Sequence, residues 1–146
     1  MFRGNHPTRV DEKGRLKVPA DFKHRVDEVY GTQFFITSKD GQSAEIYPLP
    51  EWEKIEAKIA ALSSFNPAKR KFLERVNYYG QMVELDSQGR LLLPQILRES
   101  ARLVGDVDVF GHLTYLEVVN HDAFKQGMDA SPWTPEDDAN LESHGV

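Results

Sequence analysis

Residues 10–19 read V-D-E-K-G-R-L-K-V-P and residues 85–94 read L-D-S-Q-G-R-L-L-L-P. Asp11, Gly14, Arg15, Leu16 and Pro19 of the first phrase return 75 positions later as Asp86, Gly89, Arg90, Leu91 and Pro94. A single D-x-x-G-R is a common accident. Two at one offset, each followed by leucine, an apolar residue and proline, mark an internal repeat, which constrains the fold more than any other property of the chain.

The likeness continues past the prolines. Phe22, Val26 and Val29 in one copy, and Leu97, Ala101 and Val104 in the other, fall at helical spacing. Gly31 and Gly105 close these segments as helix caps would. Two short apolar stretches follow in each copy, 33–37 and 44–49, then 107–110 and 114–119. Their aromatic and β-branched residues predict strands. Each repeat therefore reads as strand, turn, strand, short helix and hairpin.

Between the copies, Trp52, Ile55, Ile59 and Leu62 line one stripe of a helix. Asn66 and Pro67 then suit the start of a second helix carrying Phe72, Leu73 and Val76 and stopping at Gly80. This pair is long enough to join two halves and to offer a surface to a neighbouring subunit; packing on the chain's own sheet is the equal alternative. The organisation is thus a first repeat over 1–50, a helical connector over 51–80, a second repeat over 81–128 and an acidic tail over 129–146, read as mobile.

Forty per cent apolar residues in 146 suffices for one modest core. The net charge of −5 argues against a nucleic-acid partner until it is located. Asp129, Glu136, Asp137, Asp138 and Glu142 of the tail carry the whole excess, leaving 18 acidic against 18 basic residues elsewhere. The first 25 residues hold seven Lys and Arg against three Asp and Glu, and a local basic face outweighs a global sum. No cysteine, no apolar run of transmembrane length and no apolar leader core predict a cytoplasmic protein. The five histidines form no ligand pair, and no phosphate-binding, dinucleotide or nucleophile-elbow motif occurs. The expectation is no metal, no cofactor and no enzyme.

In D-x-x-G-R, Asp caps the turn through its carboxylate and Gly supplies a positive φ. Neither role requires the arginine. Arg15 and Arg90 stand where the chain re-enters a strand, so each projects from a rigid hairpin. A guanidinium there can grip a phosphate or read guanine O6 and N7. Alternatively it forms an internal ion pair with the aspartate and only stiffens the turn.

The opening M-F-R-G, the paired phrases, their prolines and the length resemble the MraZ family of bacterial transcriptional regulators, built from two AbrB-like repeats. The resemblance spans roughly residues 1–128. It implies an α+β, mainly β fold, in which the hairpins of the two repeats swap to form a pseudo-twofold β-barrel with short flanking helices. It also implies a ring-shaped homo-oligomer. The ring would bind direct repeats in double-stranded promoter DNA upstream of the protein's own division and cell-wall operon, at the nucleoid and not at a membrane. The expected DNA contacts are Arg15, Arg90, Lys13, Lys17 and Arg3, with Asp11, Gly14, Asp86 and Gly89 shaping the turns. Gln88 replaces Lys13 and Leu92 replaces Lys17 in the second copy, so Arg90 is expected to contribute less than Arg15. The rival is an AbrB-like interaction module, an antitoxin or an assembly domain.

Overall fold

A computed structural model describes all 146 residues, Met1 to Val146. The first repeat forms β1 (Asn5–Val10), β2 (Arg15–Lys17), α1 (Ala20–Val29), β3 (Gln33–Thr37) and β4 (Ala44–Pro48). A helical hairpin, α2 (Leu49–Ala60) and α3 (Pro67–Tyr78), leads to the second repeat. That repeat gives β5 (Gln81–Glu84), β6 (Arg90–Leu92), α4 (Gln95–Ser100), β7 (Gly105–His112) and β8 (Tyr115–Asn120). Helices α5 (His121–Ala130) and α6 (Pro135–Glu142) follow. The order expected from the repeat thus occurs twice.

The eight strands form one antiparallel sheet in the order β5-β3-β4-β8-β7-β1-β2-β6. Its edge strands β5 and β6 are consecutive in the chain, and the Asp86 amide donates to the Arg90 carbonyl at 2.9 Å across their turn, so the sheet curls into a nearly closed barrel. The hairpins are swapped as the resemblance implies. β1 pairs with β7 of the other repeat, and β5 with β3. β2 lies against β6 and β4 against β8. Leu16 faces Leu91 and Glu45 faces Glu117, equivalent residues meeting on a pseudo-twofold axis. Thr8 opposes Val107 just as Val83 opposes Phe34, so the register is symmetric too.

The repeat is above all a repeat of core positions. Val10 and Leu85, Leu16 and Leu91, Val18 and Leu93, Phe22 and Leu97, and Val26 and Ala101 are all buried in one cluster. Val29 and Val104, expected on the same helix faces, are instead exposed, at 52% and 72%. Val29 is the last residue of α1 and faces solvent there, whereas α4 stops at Ser100, before Val104 is reached. Gly31 caps α1 as expected, with φ of 82° and its amide on the Val26 carbonyl. Gly105 does not cap α4; it opens β7. Arg102 takes the left-handed position there, φ 54°, and the Leu103 amide bonds the Arg98 carbonyl at 3.0 Å. Burying Leu103 completely holds this Schellman-type end without a glycine.

Helices α2 and α3 pack their base on the barrel's outer face, where Trp52 stacks on Phe35 at 4.7 Å and Phe72 and Val76 join Tyr47. In the acidic tail, Thr134 and Asp137 form a capping box that starts α6, a signature the sequence reading passed over. No residue of α6 is buried.

Candidate nucleic-acid interface

The two D-x-x-G-R turns are near-copies in space. Asp11 accepts from the amides of Lys13 and Arg15, each at 2.9 Å, and from Arg15 Nε at 2.8 Å. Asp86 accepts from the amides of Gln88 and Arg90 at 2.8 and 2.9 Å, and from Arg90 Nε at 2.9 Å. The Arg15 and Arg90 backbone bonds lead these partners in holding both carboxyls below their ordinary value. The aspartates therefore stay charged near neutrality and steer the arginines.

These bonds use Nε alone. The terminal nitrogens of Arg15 and Arg90 make no hydrogen bond within the chain, and the side chains are 30% and 24% exposed. The two alternatives posed by the sequence thus coexist: an internal pair orients a guanidinium whose outer edge is free for a ligand.

β2 and β6 bring the two turns together. Leu16 and Leu91 point inward, so their neighbours Arg15, Lys17, Arg90 and Leu92 share the outer face. Arg15 stands opposite Leu92, and Lys17 opposite Arg90. The arginines are two rungs apart, about 7 Å along the ladder.

Two further cations enter from the other repeat. A Cβ on Gly14 would run into the Arg98 guanidinium, and one on Gly89 would come 3.2 Å from the Lys23 side chain. Arg98 is fixed by a 3.0 Å bond from its Nε to the Leu93 carbonyl, and Lys23 by Asp27 at 2.9 Å. Lys23 and Arg98 are themselves 75 residues apart, a signal present in the sequence and missed there. The repeat offset applied to charged as well as apolar positions would have found them.

The grouping alters the expected imbalance between copies. Arg15 is accompanied by Lys13 and by Arg98 of the second repeat. Arg90 is accompanied by Lys17 and Lys23 of the first. Each arginine sits among two other cations, although Gln88 and Leu92 are neutral. Arg3 is not part of this patch: it precedes β1, whereas the Asp11 turn follows it, some six residues or about 20 Å away. Its backbone lies against Gly111 of β7.

Tandem repeats with exchanged hairpins, meeting on a pseudo-twofold axis that carries two oriented arginines, define a two-repeat swapped-hairpin barrel protein. The profile of the family described as "MraZ protein, putative antitoxin-like" matches residues 1–75 and 80–135. The chain is 70% identical over 146 residues to the "Transcriptional regulator MraZ" of Acidobacterium capsulatum, with both chains fully covered. It is 51% identical to the protein of that name from Koribacter versatilis, again over all of each chain. Identity is 40% to that of Shewanella denitrificans, over 90% of this chain and 87% of the relative. The chain belongs to the MraZ family. No helix is long and apolar enough to cross a membrane.

Proposed function

We propose that this chain is a sequence-specific regulator of transcription that inserts the β2–β6 ribbon into the major groove of double-stranded DNA. The observation that carries the reading is the pair of outward arginines, each held by an aspartate and flanked by two cations. The major groove, roughly 12 Å wide, admits a two-stranded ribbon. Arginines about 7 Å apart along it can reach base edges while Lys13, Lys17, Lys23 and Arg98 meet phosphates. Asp11, Gly14, Asp86 and Gly89 hold the geometry. Arg3 is too far along β1 for the same groove and serves at most a neighbouring phosphate. Relatives named as transcriptional regulators support the reading.

One ribbon makes few contacts, so useful affinity calls for several. We therefore assign the chain to a ring-shaped homo-oligomer reading direct repeats upstream of its own division and cell-wall operon, at the nucleoid of the cytoplasm. Head-to-tail neighbours in a ring are related by rotation, which matches direct rather than inverted repeats. No chemistry of an enzyme is assigned. The family's antitoxin-like description supports a second reading, in which the same barrel binds a protein. A gel-shift titration on the chain's upstream DNA at several salt concentrations separates the two. Regulation through DNA requires affinity that falls steeply with salt and exceeds that for scrambled sequence. Equal, weak binding to both DNAs overturns it.

A further inference from the structure

The α2–α3 hairpin ends in a feature its own chain does not use. Phe65 at the tip is 94% exposed and Leu62 beside it 42%. The backbone of the tip is nonetheless held by its own hydrogen bonds. The Phe65 amide donates to Ser63 Oγ at 3.1 Å, and Asn66 caps α3 through the amides of Ala68 and Lys69. Lys69 Nζ ties back to the Leu62 carbonyl at 3.0 Å. Phe65 and Leu62, exposed side by side on this hydrogen-bonded tip, form an apolar knob that a partner surface can cover. Lys69, Arg70 and Lys71 crowd the first turns of α3, where the helix dipole disfavours cations and the first turn holds no acidic residue; only Arg70 is paired, with Glu74 at 2.8 Å one turn on.

A complementary feature lies on another face. α5 packs beside β8, the β3–β4 loop and the end of α4 and leaves a groove of about 530 Å³. Val119, Phe124 and Met128 supply its apolar surface and Asp40 and Glu117 its carboxylates, with Arg102 as a single cation. α5 buries none of its own residues, and Met128 is 49% exposed. The chain beyond Lys125 has five acidic residues and no Lys or Arg.

Gly127 is the second, independent observation. It lies inside α5 and on the groove wall. Glycine within a helix is less stable than alanine. Gly127 has no positive φ to require it, and a Cβ there would meet nothing within 4 Å. Neither the backbone nor the packing of the monomer calls for glycine. The space it keeps open belongs to something arriving from outside.

We propose that the tip of the α2–α3 hairpin, with Phe65 at its apex, seats in the α5 groove of a second copy of this chain. Apolar matches apolar, and the Lys69–Lys71 cluster meets the acidic groove and tail. Knob and hole lie on different faces, so the contact is heterologous and propagates from copy to copy. This inference rests on the homo-oligomer reading above and supplies its interface.

The test uses two full-length variants, each chosen to keep the fold. Phe65→Asp changes an exposed tip. Gly127→Leu adds a helix-favouring side chain that fills the groove. Circular dichroism confirms folding, and sedimentation without DNA reads the mass. The wild type should be an oligomer and each variant a monomer of 16.7 kDa. An equimolar mixture should give a one-to-one heterodimer and nothing larger, because only one tip and one groove survive. Wild-type mass in both variants overturns the interface alone, and so does a mixture that stays monomeric. Loss in Gly127→Leu without loss in Phe65→Asp means that another partner fills the groove, and also overturns it. A monomeric wild type removes the inference together with the oligomer reading. DNA is absent throughout, so failure of the DNA reading leaves the result unaffected.

Discussion

Asp11 and Asp86 each accept three hydrogen bonds inside a five-residue turn, two of them from backbone amides. Asn at both positions keeps an oxygen for the amides but loses the charge facing the arginine. The carboxyls are depressed in the folded protein. Their stabilisation is therefore present above the unfolded value, about 3.9, and is lost as pH falls through the lower folded value. Thermal melts of Asp11→Asn/Asp86→Asn should lie below wild type near neutrality and converge with it in strong acid. A constant gap through the acid range would show that the charge is not the cause. Gly14 is constrained twice, by φ of 84° and by Arg98 over it. Gly14→Ala should cost about 1–2 kcal/mol from the backbone term alone, read from denaturant midpoints, more if Arg98 is displaced. The turn chemistry and the Asp–Arg pair were legible in the sequence because every bond spans four residues or fewer. Whether the guanidinium also faced outward was not, since that depends on which side of β2 the core lies.

At the scale of elements, the β2–β6 ladder redistributes the charges of the two copies. Lys17 pairs with Arg90, and Arg98 and Lys23 each cover the opposite repeat's glycine. Arg90→Ala should therefore weaken DNA binding about as much as Arg15→Ala. Each should lose about 1–3 kcal/mol per engaged subunit with the fold intact by circular dichroism. Lys23→Ala and Arg98→Ala should lower affinity for all sequences and reduce the salt slope by about one each. A harmless Arg90→Ala beside a crippling Arg15→Ala would return weight to the sequence expectation of unequal copies. Helices were largely legible from their apolar stripes, and both connector helices lie where Trp52 and Pro67 placed them. The end of α4 was not. A buried Leu103 outweighs the strain of Arg102 at positive φ, a packing effect that no local glycine signal reports.

For the whole molecule, closure of the barrel requires both repeats. β1 has its main partner in β7 and β3 finds one in β5, so half the chain leaves unpaired edges. Residues 1–66 alone should be unfolded, or should dimerise by letting a second copy replace the missing repeat. A well-dispersed NMR spectrum from a monomeric fragment would contradict this. In the assembled ring, adjacent ribbons should read sites about one helical turn apart, near 10 bp. Inserting about 5 bp between operator repeats should reduce affinity sharply, because it turns the second site to the opposite face. Indifference to the insertion in a gel shift would remove support for several ribbons acting on one DNA face.

The sequence by itself determined the repeat, the helix-face core positions Phe22, Val26, Leu97 and Ala101, the two turns and the order of elements within each repeat. All of these rest on contacts within a few residues, or on hydrophobic periodicity that any compact solution must satisfy. Only the tertiary structure decided which strands pair across repeats, which cations stand beside which arginine, and that Arg3 lies apart from them. Those arrangements join residues far apart in the chain, from Ile36 with Gln81 to Asn5 with Phe110, and they exist only because the exchanged hairpins close one barrel around Leu16 and Leu91.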